Sequence, residues 1–307
     1  MNKPSIVKAA LLGSASALGL NWIYNRRVLN KHREEGHPMI FEAIDHELYK
    51  RAKKAFDVYP DHQIGDLDFM GEVLYLFYMF LEYEEDHSLV RWREIFYEYF
   101  REDHEYNGYL ESYGKEFLKR YKEESDHTAD DVLHTDFVDK QLIGPLFIFA
   151  TYESEHSINK VADALNYVKT LTAYSGANEL NQIFNTLLEL LDKGVDKQDA
   201  LREVISIAPE EYREALEISL TDISLDKLIM NHAGVACNLD QTLPVIFHIV
   251  SHHDDWADAL VTNAAIGGAS SARGIYVSAL MSRIVAIPEE YLDKLNYNIE
   301  PTKKDSE

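Results

Sequence analysis

In its C-terminal third the chain reads Asn263-Ala264-Ala265-Ile266-Gly267-Gly268-Ala269-Ser270-Ser271-Ala272-Arg273-Gly274. The pattern predicts a helix that ends at paired glycines and another that starts at serines. A helix start presents N–H groups without intrahelical partners, and two neighbouring hydroxyls add oxygen. Gly267, Gly268, Ser270 and Ser271 could thus cradle an anion or lend oxygen to a metal. They could equally form a tight, serine-capped turn between helices. A second place for chemistry is Gly65-Asp66-Leu67-Asp68, at another predicted helix start. Asp66 and Asp68 could hold Mg²⁺, which takes oxygen ligands, or cap the helix and face its dipole. A third is Ala17 to Asn25, where Asn21 and Trp22 close an apolar helix and either line a pocket or join the core.

Other groupings carry less. His252-His253-Asp254-Asp255 has metal-binding residue types, but adjacent residues do not share a helix face, so it reads as a solvated turn and N-cap. His232 and Cys237 are separated by a loop and define no nucleophile arrangement. The acidic runs at 82–86 and 123–126 read as solvated, and the Tyr- and Phe-rich stretch 96–109 reads as core and helix interface.

Helices must position these residues. Ser5 caps a predicted helix over 5–24 that is small and apolar all round, and therefore central. Further helices are expected over 41–57, 67–83, 88–100 and 109–122, then over 136–152 with a kink or restart at Gly144-Pro145. Next come 157–173, 178–191 with Gly194 beyond its end, and a hairpin of 196–205 and 209–220. The segment 229–239 reads as loop. Asp240 is expected to cap a helix to 251 with Pro244 in its first turn, and Asp254 or Asp255 one to 266. An apolar helix then reaches 284, and Pro288 opens a short last one. No stretch alternates as a strand does, and no repeat or linker interrupts the chain. The expectation is one all-α domain over 1–300 and a disordered tail over 301–307.

Composition narrows the function classes. The 307 residues include 46% hydrophobic residues, enough for a globular core. Only 14 glycines and 8 prolines occur, a scarcity that suits helices. The formal net charge of −23 argues against duplex nucleic acid and anionic membranes, both of which need a cationic footprint. A single cysteine, Cys237, rules out an intrachain disulfide and Cys-based zinc sites, and fits a reducing, cytoplasmic setting. The apolar run 9–20 looks faintly like a signal peptide, but it continues into Trp22-Ile23-Tyr24 and is read as a buried helix.

Taken in order, these features resemble the ADP-ribosylglycohydrolase family, which includes a jellyfish lens crystallin. The resemblance rests on Ala15-Ser16-Ala17-Leu18-Gly19 with Asn21 to Tyr24, Gly65-Asp66-Leu67-Asp68, Asp139 to Leu146, Ala236 to Pro244, and Gly267 to Gly274 with Ile287-Pro288. It spans nearly the whole chain. It implies a single compact, orthogonal multi-helix domain with two Mg²⁺ ions in a central cleft. Departures bear on that implication. Ser16 stands where the family has aspartate, Ala269 and Ser271 where it has two, and Leu67 where many members have a second acid. Two Mg²⁺ ions need several carboxylates around them. The matched positions retain Asp66 and Asp68, which implies one Mg²⁺ at most and favours none.

Two functions follow from the resemblance. One is hydrolysis of an ADP-ribosyl or related N- or O-glycosidic bond. Asp66 would then be metal ligand or base, and Asn21, Gly267, Gly268, Ser270 and Ser271 would line the ligand site. Arg273 would pair with pyrophosphate or bridge helix ends. The other is a catalytically inactive homologue kept as a ligand-binding or structural protein. Metal-free hydrolysis by two carboxylates is a third route, for which the sequence indicates no particular pair. The implied partners are a small molecule or an ADP-ribosylated protein.

Overall fold

Ser5 starts the first helix, its hydroxyl accepting the Lys8 N–H at 3.0 Å. Glu153 secures the same end from outside, accepting from Ser5 Oγ at 2.9 Å and from the Val7 N–H at 2.8 Å. In the computed structural model, which describes residues 4–102, 106–129 and 133–299, this helix α1 covers Ile6–Ala17 and tightens into a 3₁₀ turn at Leu18–Leu20. Every residue of α1 except Lys8 is buried, as its all-round apolar sequence requires.

The first half of the chain continues with α2 (Arg26–Glu34), α3 (His46–Ala52), α4 (Phe69–Tyr83), α5 (Leu89–Phe100), α6 (Ser112–Glu123) and α7 (Ile148–Glu153). The second half adds α8 (Lys160–Val168), α9 (Ala177–Asp192), α10 (Lys197–Ile205), α11 (Glu210–Ser219) and α12 (Leu225–Asn231). It closes with α13 (Leu239–His252), α14 (Trp256–Ala265), α15 (Ser270–Ile284) and α16 (Glu289–Leu292). The fold is all-α. Among the described residues extended pairing is limited to the isolated bridges Ile23–Ala55 and Gln141–Asn238. No helix among them is long and apolar enough to cross a membrane.

The centre is the crossing of α1 and α15. A Cβ on Gly13 would lie 2.0 Å from Gly274 O, and one on Gly274 2.3 Å from Gly13 O. The two backbones therefore touch. Ser278 Oγ donates to Ala9 O across the crossing and accepts from Trp256 Nε1 at 3.0 Å. α4 packs on α1, where a Cβ on Gly71 would meet Ser14 Oγ at 2.6 Å. One apolar core joins these helices, with an aromatic cluster of Phe77, Phe80, Trp92 and Phe147 beneath α4 and α5.

Several boundaries differ from expectation. Of 41–57 only α3 is helical: Phe41 and Lys53 have φ of 52° and 59°, outside the helical region, and Asp45 caps by accepting from Glu47 and Leu48 N–H. Of 136–152 only α7 is helical, because Gly144 and Leu146 donate three residues back, to Gln141 and Ile143, in successive turns. The expected loop 229–239 begins inside α12. α2 was not expected. It buries only Leu29 and His32, so its apolar periodicity is weak. Asn238 rather than Asp240 occupies the start of α13, which places Pro244 in the second turn. The expected tail over 301–307 lies outside the described residues.

The crossing supplies a stability test. Gly13→Ala should cost about 3 kcal/mol, because the added methyl meets backbone that cannot move aside. Gly144→Ala, whose Cβ would meet nothing nearer than 3.6 Å, should change stability by less than about 1 kcal/mol. Urea unfolding of both variants checks the contrast. Equal effects would show that the glycine contact is not the constraint.

Candidate functional site

The turn between α14 and α15 is wedged between two loops. Gly267 and Gly268 take φ of 72° and 70°, and their missing side chains make room: a Cβ would lie 2.1 Å from Ile23 O at the first and 1.9 Å from Val235 O at the second. Trp22 N–H donates to Gly268 O at 2.7 Å, and Gly268 N–H returns to Ile23 O at 2.9 Å. Ala269 N–H donates to Val235 O at 2.8 Å. The Asn21 amide oxygen accepts the Ser271 N–H at 3.1 Å. Asn21 thus occupies the start of α15 where an anion would otherwise be received. Ala269, not a serine, is the N-cap, and Ser270 and Ser271 are the first helical residues. Their hydroxyls are buried and without hydrogen-bond partners.

Arg273 holds the turn from inside. It is fully buried, and its Nε donates to Asn263 Oδ1 at 2.7 Å. Its Nη2 donates to Asn263 O and Gly267 O, both at 2.9 Å. Asn263 in turn donates to Ser270 O at 2.8 Å. No carboxylate is among these partners, and burial pulls the guanidinium down to about 9.

Asp66 and Asp68 face different ways. Asp66 Oδ2 accepts the Gln63 N–H at 2.7 Å and Oδ1 accepts from Asn296 Nδ2 at 2.8 Å, so both oxygens hold the loop before α4. Asp68 is the N-cap of α4: its Oδ1 accepts the Gly71 N–H at 2.9 Å and the Ser14 hydroxyl at 2.8 Å. Burial raises its pKa to about 6.

Asp68 belongs to a group of buried acids that nothing in the local sequence pattern singles out. Glu111, just before α6, has its pKa raised to about 8, chiefly by burial and then by Asp68 and Asp139. Asp139 is raised by burial although Ser112 Oγ at 2.5 Å and Gln141 Nε2 at 3.1 Å donate to it. Glu72, one turn into α4, is raised by burial to about 7 despite hydrogen bonds from Tyr99 and Tyr297. Three segments, the start of α4 with Asp68 and Glu72, the residue before α6, and Asp139, supply these acids, so only the folded chain brings their charges together.

Tyr24 links this group to the glycine turn. Burial and then the acidic groups of Cys237 and Glu111 push its hydroxyl up to about 12, while Arg273 opposes them. Cys237 is also pushed up to about 12 by burial and Glu111, which keeps it a thiol rather than a nucleophilic thiolate. Aromatic rings cluster around Trp22 and Tyr24, the residues that follow Asn21. Trp22 sits edge-on to Tyr109 at 4.9 Å and to Phe56 at 6.1 Å, and Tyr24 to Phe56 at 6.1 Å. Lys115 Nζ lies 4.0 Å over Tyr109. Phe56 is 58% exposed, so the rim is open to solvent while the polar floor is buried. An aromatic rim over hydrogen-bonding groups suits flat bases and sugar faces. A neutral carboxyl beside ionised ones can also donate a proton.

The structure therefore gathers Asn21, Gly267, Gly268, Ser270, Ser271 and Arg273 at one turn and sets Asp68 among the buried acids, while Asp66 bonds toward Asn296. His252 and His253, read as a turn, do end α13, with His253 Nε2 2.9 Å from Thr262 Oγ1.

No protein-family model matches the sequence, and no curated protein matches it. Comparison with solved structures does find likenesses. One, titled an ADP-ribosylglycohydrolase-related protein complex, superposes with a TM-score of 0.63 at 15% identity, covering 95% of this chain and 92% of that one. The likeness over nearly both chains establishes the fold.

The buried acids make stability depend on pH in a defined direction. With folded pKa values of about 6 for Asp68, 7 for Glu72 and 8 for Glu111, the native state binds more protons than the unfolded one above about pH 4.5. Unfolding free energy should therefore fall as pH rises from 5 to 8. Glu111→Gln should flatten the upper part of that fall, measured by thermal melting across the range. A rise in stability over the same interval would contradict the burial of these acids.

Proposed function

We propose that this chain is a ligand-binding protein on a glycohydrolase-type fold, whose cleft receives an ADP-ribosyl or related nucleotide glycoside without a dinuclear Mg²⁺ centre. The observation that carries this is the Arg273 brace. A buried guanidinium occupies the inside of the turn where the resemblance would place metal-binding acids. Two dications there would meet a fixed positive charge and no carboxylate from Gly267 to Gly274.

The remaining donors do not fit two Mg²⁺ ions either. Mg²⁺ demands near-octahedral oxygen geometry. Both Asp66 oxygens are engaged by Gln63 and Asn296, and one Asp68 oxygen by Ser14 and Gly71. Ligand recognition then falls to the rim of Trp22, Tyr24, Phe56 and Tyr109, with the floor supplying hydrogen bonds. The nucleotide glycoside is the ligand class suggested by the fold and by the resemblance in the motifs.

One observation favours a second reading. Glu111, held neutral to about pH 8 beside Asp68 and Asp139, is suited to protonate a leaving glycosidic oxygen or nitrogen. In that case the protein hydrolyses the bond with its own carboxyl groups.

Melting with ADP-ribose separates these readings. A rise in Tm of equal size in EDTA and in Mg²⁺ is expected, and Phe56→Ala should weaken binding about tenfold through lost stacking. A shift that appears only with Mg²⁺ would overturn the proposal. Release of ADP-ribose from a modified peptide, lost in Glu111→Gln and unaffected by EDTA, would instead establish the second reading.

A further inference from the structure

The loop after α2 carries a grouping unrelated to the cleft. His32, on the last turn of α2, points its Nε2 at Glu42 Oε2, 2.6 Å away. His37 stacks on the His32 ring with centroids 3.7 Å apart and planes inclined by 12°. The three side chains present nitrogen or carboxylate atoms that all lie within 4.8 Å of one another, the one such trio found among the described residues. His32 is 3% exposed. Its Nδ1 is buried with no hydrogen-bond partner.

We propose that His32, His37 and Glu42 bind one divalent transition-metal ion, Zn²⁺ foremost, which clamps the loop after α2 onto the end of α1. Two imidazoles and one carboxylate suit Zn²⁺ and its neighbours in the transition series, and not Mg²⁺ or Ca²⁺, which prefer oxygen. Three protein ligands leave a fourth position, which a water fills from the solvent side where His37 is exposed.

The backbone is shaped to bring these groups together. Within six residues Gly36, Met39 and Phe41 take φ of 91°, 70° and 52°, two of them without the freedom of glycine. Such conformations persist only where surrounding contacts enforce them. Here they return Glu42 to His32, and the Met39 N–H fixes Glu42 by donating to Oε1 at 2.5 Å. That bond leaves Oε2 for the metal. Tetrahedral Zn²⁺ at about 2.1 Å from each ligand sets ligand atoms about 3.4 Å apart. The 2.6 Å contact must open to admit the ion, and exposed His37 must turn its ring out of the stack on His32 so that a lone pair from each imidazole reaches the same point. His32 Nδ1 holds no partner that would resist this swivel, and the bond from His32 to Glu42 is the one the metal replaces.

The clamp has a definite target. Phe41 N–H donates to Ser16 O at 2.7 Å, and a Cβ on Gly19 would meet Glu42 O at 2.3 Å. The loop therefore lies directly on the end of α1 and its 3₁₀ turn, which lead to Asn21. With one cysteine and no disulfide available, a metal is the available cross-link for this segment.

Protein stripped with chelator and titrated with Zn²⁺ should bind one equivalent and gain Tm. Co²⁺ should give the visible d–d absorption of a four-coordinate site. His37→Ala removes an exposed ligand without disturbing the core. It should abolish that absorption and weaken Zn²⁺ by at least about a hundredfold, beyond what loss of an outer hydrogen bond costs. Glu42→Gln, which can still accept from Met39, should weaken it too. The double variant His252→Ala/His253→Ala should bind as the unaltered protein does. No Co²⁺ spectrum, or one that survives His37→Ala and disappears in the His252/His253 variant, would overturn the proposal. ADP-ribose binding does not enter this experiment, so its outcome is independent of the proposed function.

Discussion

Where α1 crosses α15 no side chain separates the two backbones, because Gly13 and Gly274 face each other. Close approach of this kind aligns two helices to within a fraction of an ångström, and neither can rotate without a clash. The end of α1 is then delivered beside the start of α15. Asn21 reaches Ser271, Trp22 and Ile23 pair with Gly268, and Tyr24 is carried to the edge of the buried acids. On the other side Ser14, one residue from the crossing, receives the N-cap of α4 through Asp68. Both halves of the candidate site therefore hang from a single contact made of hydrogen and backbone.

Burial sorts the charges within that frame. The protein is strongly acidic, yet of its two fully buried arginines among the described residues only Arg93 meets a carboxylate, that of Glu124, while Arg273 is bonded to carbonyls and an amide. The buried acids answer mainly to hydroxyl and amide donors. Desolvation then moves both kinds of group toward neutrality: the acids upward and the guanidinium downward. Tyr24 stands between them with an un-ionised hydroxyl. A floor so arranged offers hydrogen bonds and a titratable proton.

Much of this was legible in the residues. The apolar run after Ser5 specified a central helix, and Gly267-Gly268 specified a junction, because only glycine tolerates both the positive φ and the loops pressing on it. Asp68 as a cap was one of its two readings, and the bond to Gly71 bears that out geometrically. Arg273 was open between bridging helix ends and meeting a pyrophosphate; its bonds in the structure are those of a bridge. Glu111 was not legible, and Asp139, though it opens one of the matched stretches, was not legible as one of the buried acids. They lie in irregular segments, and their altered acidity arises from neighbours far along the chain. The trio of His32, His37 and Glu42 was hidden for a related reason. Its spacing follows no helical or strand period, and three positive-φ residues fold it back on itself.

On the proposed function, Arg273 braces the glycine turn and the turn takes no metal ion. Anomalous diffraction from crystals grown with Mn²⁺, a scatterer that takes Mg²⁺ sites, tests it most directly. The account requires no Mn²⁺ within about 2.5 Å of an oxygen of Asp66, Asp68, Ser270 or Ser271, with Arg273 still bonded to Gly267 and Asn263. An ion bridging Asp68 to the turn, with the Arg273 side chain displaced, would contradict it.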